Sequence, residues 1–236
     1  MAVVTGDADR LTAFTDVLGT VKNEWRYREL VVQEVLFETV PILVACHGMG
    51  GPGAALLAEE LIDSGINCIV RVGTCGPLQP DITAGSAVIS TGSVRDDGTS
   101  RQYLPLEVPA LPDHRLVSAL HDALDREQVE YRSGLTHCKD AYYCQDPDRV
   151  IAQESWHQRW AWLRRLNVLV TEGEAGAICA VAAVRGVSAA AVLVVGGAPR
   201  ETALANLARC AVAAARAGLA LTGRPPVAGG AGKARR

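Results

Sequence analysis

Short apolar, β-branched runs alternate along the chain with longer runs rich in alanine and leucine. This order predicts a mixed or parallel sheet covered by helices on both faces. The apolar runs predict strands at Glu34 to Phe37, Pro41 to His47, Asn67 to Val72, Ser86 to Val94, Tyr131 to Thr136, Val168 to Thr171 and Ala189 to Val195. Helical spacing predicts helices at Arg10 to Leu18, Gly53 to Ser64, His114 to Glu127, Pro147 to Gln153, Glu174 to Gly186 and Glu201 to Leu221. Ahead of them, the apolar pair Val3-Val4 runs straight into a Gly6-Asp7 turn that ends at Arg10, and two valines are too few for a signal-peptide core. Past Thr222 the sequence reads "GRPPVAGGAGKARR", with nothing to bury. The expectation is one α/β domain over residues 1–222, a three-layer α/β/α sandwich with a central mixed sheet, and a disordered tail over 223–236.

Composition narrows the function classes. With 236 residues, 49% of them hydrophobic, the chain can bury a large single core. Twenty-three basic and 26 acidic residues, net −3 with no basic block, argue against a nucleic-acid polymer as partner. Seven cysteines, an odd number without a Cys-x-x-Cys pair, read as reduced core thiols of a cytoplasmic protein. No apolar run reaches the roughly 18 residues needed to span a bilayer, since arginines interrupt the alanine-rich C-terminal segment. No membrane association is expected.

Candidate chemistry collects where strands end. Glycine clusters in "TGDADR", "HGMGGPGA", "RVGTCG" and "VVGGAPRE" allow close backbone approach to a ligand, and the second opens a helix whose free N–H groups suit an anion. Turn formation alone also accounts for such clusters. Arg10 follows the first glycine turn, Arg28 lies in "RYREL", and Arg71 ends an apolar strand beside Thr74. A guanidinium at the end of a buried strand requires either a bound anion or an internal carboxylate. Glu172 and Glu174 flank a strand-to-helix junction, where carboxylates either accept sugar hydroxyls or complement the positive helix end.

In this order the pieces resemble the nucleoside phosphorylase family that includes uridine phosphorylase and the bacterial hexameric purine nucleoside phosphorylases. "VVTGDADR" resembles the family's Gly-Asp-Pro-x-Arg phosphate loop, and "RYREL" its His-Arg-Glu segment. The block "HGMGGPGAALLAEELIDSGINCIVRVGTCGPLQPDITAGSAVIST" is the longest match, and "VRDDGTSRQYLPLEVPALPD" is similar to uridine phosphorylase in particular. The resemblance runs from Val3 to about Leu221. It implies phosphorolysis of a nucleoside, with inorganic phosphate as co-substrate and no other cofactor. Phosphate would be held by Gly6, Arg10, Arg71 and Thr74, with Arg28 reaching in from a neighbouring subunit. Arg10, Arg71 and Glu174 would carry the catalysis. Glu172, Gly173 and Glu174 would line the ribose, and Tyr142, Gln145 and Gly196 the base. A homodimer would be the smallest active unit, within a ring of three dimers.

Departures from the family pattern shape the substrate. Gly173 replaces a methionine that lies beneath ribose and base, which leaves the pocket roomier. Gly196-Gly197 stands where the purine enzymes place an acid, so a general acid worth on the order of 10² to 10⁴ in rate is missing and ordinary purine nucleosides are disfavoured. Gln145 matches a uracil-reading glutamine, whereas Arg149 lies one helical turn too far on to match the family's arginine. Relatives carry a histidine-bearing segment before the first strand, and this sequence starts two residues before Val3, so a 5′-modified nucleoside or a nucleotide is also expected to fit. His47 and His137 lack ligand-spaced partners, and no metal is expected. The tryptophans of "ESWHQRWAWLRRL" have helical spacing and suit a lid or a helix packed on the core. A nucleoside or nucleotide hydrolase of the same fold and a catalytically silent nucleoside-binding protein are the competing readings. Arg10, Arg28 and Arg71 argue against the hydrolase.

Overall fold

The computed structural model describes residues 1–223. The expected tail therefore lies outside the described residues. The chain opens with β1 (Ala2–Thr5), α1 (Asp9–Leu18), the hairpin strands β2 (Val21–Tyr27) and β3 (Leu30–Phe37), β4 (Val40–Cys46) and α2 (Gly51–Asp63). It continues through β5 (Cys68–Pro77), β6 (Ala87–Asp96), α3 (Gly98–Tyr103), α4 (His114–Arg126) and β7 (Tyr131–Lys139). Then come α5 (Gln153–Arg165), β8 (Val170–Glu172), α6 (Ala175–Arg185), β9 (Ser188–Val195) and α7 (Arg200–Thr222).

The strands form one mixed sheet in the order β2-β3-β4-β1-β5-β8-β7-β6-β9, and β9 pairs back onto β5. Half of the sheet therefore closes on itself. β5 makes this closure: its first half lies parallel to β1 on one side, β9 follows it from Cys68 to Cys75 on the other, and Gly76 and Pro77 turn to meet β8. Successive side chains of a strand point to opposite faces, so neighbours in sequence feed different layers. Val70 joins Leu11, Phe14, Leu120 and Leu207 beneath α1, α4 and α7. Ile69 joins Leu57, Leu61, Ile178 and Val181 beneath α2 and α6. These are the outer layers expected of the sandwich, and burying one such side chain contributes roughly 1.5–3 kcal/mol. A third cluster, with Cys75, Val88, Leu193 and Val195, comes from the closed half.

Four expectations need correction. The helix expected at Pro147 to Gln153 is absent: short 3-10 turns cover Tyr142–Gln145 and Pro147–Arg149, and α5 begins only at Gln153. The stripe Trp156, Trp160 and Leu163 has the i, i+4, i+7 spacing that buries a helix face, and it pulls the helix C-terminal; Trp160 and Leu163 are buried there against Leu78 and Val168. β2 escaped the pattern because all seven of its residues are exposed, so an edge strand paired only to β3 carries no burial period. The strand expected to end at Val72 runs on to Pro77 because β9 and β8 pair with it there. Finally, α7 is long and apolar enough, by length and composition, to cross a membrane, although more than half of its apolar window is buried inside the protein. Its alanines pack against α1, α4 and the sheet, which accounts for their apolar character.

Candidate active site

The carboxyl ends of β1, β4 and β8 converge on Arg71, which the sequence placed at a strand end but which lies within β5, because the strand runs on to Pro77. The side chain of Arg71 is 4% exposed, and three partners fix its guanidinium. Nε donates to Glu172 Oε2 at 3.3 Å, Nη2 to Glu174 Oε2 at 2.5 Å, and Nη1 to His47 Nε2 at 2.9 Å. An arginine always donates, so His47 accepts through Nε2 and is neutral. Burial first, and then the Arg71 cation, push the His47 pKa down to about 3. Burial opposes the charge on Arg71, but Glu174 and Glu172 outweigh it and raise the arginine above its ordinary value.

Two glycines make the convergence sterically feasible. Gly73 lies on the same face of β5 as Arg71, and a Cβ there would sit 2.7 Å from Arg71 Nη2. Gly6 ends β1 where a Cβ would lie 3.1 Å from the Gly48 carbonyl and 3.3 Å from the His47 ring. From the turn after Gly6, Arg10 extends its Nη2 to Thr74 Oγ1 at 3.3 Å, with Asp7 3.5 Å from its Nε. Arg10 thus sits at a threonine hydroxyl within electrostatic reach of the Arg71 cation, an arrangement suited to oxyanion oxygens.

The two glutamates divide their work. Glu172 is fully buried and accepts the Glu174 N–H at 2.8 Å and the Ala175 N–H at 3.0 Å, so it caps the first turn of α6. Burial pushes its pKa up against the pull of Arg71. Glu174 reaches across to Arg71 and takes the Gly50 N–H on its other oxygen at 2.8 Å. Burial opposes ionisation of Glu174, but Arg71 and that N–H hold its pKa below the ordinary value. Of the two readings of the sequence, helix capping applies to Glu172, whereas Glu174 is held by Arg71 and the Gly50 N–H. The internal carboxylate weighed as a partner for Arg71 is also real, and both glutamates supply it.

The remaining predicted residues lie around this centre. Gly173 leaves a gap floored by the Lys139 carbonyl, 3.5 Å from where its Cβ would lie. Gln145 Oε1 is 3.9 Å from a Cβ built on Gly76, and the Gly196 N–H donates to the Cys75 carbonyl at 2.9 Å. Tyr142 is exposed, with Lys139 Nζ 5.7 Å from its ring centroid. Arg28 stands apart, in the two-residue turn between β2 and β3 at the sheet edge, with φ 55° and its guanidinium over Tyr27. Within one chain it does not join the site. Among the described residues no group of three His, Cys, Asp or Glu side chains is placed to hold a metal ion.

Two participants escaped the sequence reading. The sequence marks His47 only as a histidine without ligand-spaced partners and does not single out Lys139, yet both are buried at the carboxyl ends of strands, His47 after β4 and Lys139 in β7. A polar group after an apolar run, the signal applied to Arg71, points to His47, whereas the mostly polar sequence of β7 carries no such signal for Lys139.

Fold and site together define an α/β protein with an arginine- and carboxylate-lined centre at the carboxyl ends of its strands, where ligands of such sheets sit. The model of the phosphorylase superfamily matches residues 1–222, and the chain belongs to that family. It is 41% identical over 172 residues to a uridine phosphorylase of Treponema pallidum, an alignment covering 72% of this chain and 66% of that protein. It therefore spans just under two thirds of that relative's length. A guanosine phosphorylase of Halorubrum lacusprofundi is 29% identical over 197 residues, covering 84% of this chain and 78% of that one. Among solved structures, the uridine phosphorylase of Vibrio fischeri superposes with a TM-score of 0.83 over 93% of this chain and 91% of that one. At 22% identity that likeness shows the fold.

Proposed function

We propose that this protein is a nucleoside phosphorylase that cleaves the N-glycosidic bond of a pyrimidine or modified nucleoside with inorganic phosphate, giving free base and a pentose 1-phosphate. The observation that carries this reading is the contact of Arg10 with Thr74 within electrostatic reach of the Arg71–Glu174 pair. The relatives named as uridine and guanosine phosphorylases support it.

Phosphate takes the guanidinium groups of Arg10 and Arg71, the Thr74 hydroxyl and the Gly6 backbone N–H. The sugar hydroxyls donate to Glu174, which relieves it of part of its pairing with Arg71. A phosphate oxygen then forms the bond to C1′ as the C1′–N bond breaks, and its electron pair leaves with the base. Positive charge grows on the sugar directly beside the bound phosphate, so positioning and field supply most of the stabilisation. No metal or organic cofactor takes part in this scheme. Arg28 completes the phosphate site of a neighbouring subunit, which makes a dimer the smallest active unit and a ring of three dimers the full assembly. The reading places the enzyme in the cytoplasm.

The test is to incubate the purified protein with pyrimidine, purine and 5′-modified nucleosides and nucleotides, with and without phosphate, and to separate the free bases. Release that requires phosphate supports the reading. Release without it indicates a hydrolase, and binding without release a silent binder.

A further inference from the structure

Lys139 closes β7 with its side chain buried, at 5% residue exposure. Its ammonium has no hydrogen-bond or carboxylate partner among the described residues, and while the stem is buried Nζ is not sealed off, so the head stays open to a ligand. The nearby acids are occupied: Glu172 is committed to Arg71 and the first turn of α6, and Glu174 to Arg71 and the Gly50 N–H. Burial lowers the lysine's pKa, while the Glu172 carboxylate opposes that. Nζ faces the Tyr142 ring at 5.7 Å, and the Lys139 backbone floors the gap left by Gly173. The arginine nearest in sequence to a base-reading role is turned away: Arg149 pairs with Asp146 at 3.0 Å, lies over the Tyr143 ring and has a 59% exposed side chain.

We infer that Lys139 is the cationic base-binding group of this pocket, donating to the carbonyl oxygen beside the glycosidic nitrogen of a 2-oxopyrimidine. This rests on the phosphorolysis proposed above and narrows its substrate. When the C1′–N bond breaks, its electron pair passes to the base, and the negative charge spreads onto that carbonyl oxygen. The lysine keeps its proton and strengthens its hydrogen bond as the charge develops, and water later protonates the departed base. Tyr142 packs on the ring of the same base. The missing partner of Lys139 is thus the ligand.

The experiment compares wild type with Lys139→Met on uridine and on 5-fluorouridine, whose base is the stronger acid and needs less help to leave. The expected result is a fall in kcat/KM for uridine of about 10² to 10³-fold, a clearly smaller fall for 5-fluorouridine, and an unchanged KM for phosphate. Lys139→Arg should recover part of the loss. Equal losses on both substrates, or no loss on either, overturn the inference and leave the phosphorylase reading standing. If wild type releases no base from either nucleoside with phosphate present, that reading fails and the inference fails with it. Should Lys139→Met not fold, Lys139→Gln, which keeps a donor and loses the charge, is compared on the same two substrates.

Discussion

Arg71 Nη2 and Glu174 Oε2 lie 2.5 Å apart where β5 meets the start of α6. The pair is nearly dry, with side chains 4% and 12% exposed, so each charge depends on the other. It aims a cation and a carboxylate acceptor at one point. Glu174→Ala leaves Arg71 with Glu172 as its one carboxylate partner and should lower stability by about 3 kcal/mol in urea denaturation. It should also cut phosphate-dependent base release by at least about 10²-fold. A fully active Glu174→Ala would remove Glu174 from the ribose site.

Gly73 tests whether the arginine's position matters beyond its charge. A Cβ there would crowd a guanidinium that His47, Glu172 and Glu174 already hold, so it cannot step aside freely. Gly73→Ala should cost about 1–3 kcal/mol of stability and raise the KM for phosphate about tenfold. An unchanged phosphate KM would mean that the displaced guanidinium does not touch phosphate.

His47 gives the fold an acid sensitivity of definite sign. Its pKa is about 3 when folded against 6.5 in the unfolded chain, so below 6.5 the unfolded state takes up a proton that the folded state refuses. This contribution is full above pH 6.5 and is lost as pH falls toward 3. Urea midpoints taken between about pH 7 and pH 4 should drop more steeply for wild type than for His47→Gln. Parallel curves would show that the histidine does not carry the effect.

Arg28 is exposed in a hairpin turn, so Arg28→Ala should leave the melting temperature unchanged while abolishing turnover. Mixing Arg28→Ala subunits with Arg10→Ala subunits should restore activity, since one site in each mixed dimer then has both arginines. Failure of the mixture to recover would confine the site to a single chain.

Much of this was legible in the sequence because buried strands announce themselves by composition and glycines by punctuation. Val3-Val4 before Gly6 marks a strand end where the site forms, and the apolar run around Arg71 marks the strand that carries it. β2 was invisible because an edge strand with every residue exposed has no burial period. α5 was misplaced because the stripe of Trp156, Trp160 and Leu163, and not the acidic turn before it, meets the core. The division of labour between Glu172 and Glu174 was also out of reach. Both flank the junction of β8 and α6, and only the approach of Gly50 from the start of α2 and of Arg71 from β5 separates them.

The most direct test of the account is phosphorus NMR of wild type incubated with uridine and inorganic phosphate. The account predicts a pentose 1-phosphate signal that grows in step with released uracil and disappears when Arg71 is replaced by methionine. Uracil released with free ribose and no new phosphorus signal would contradict it, because water and not phosphate would then be the attacking group.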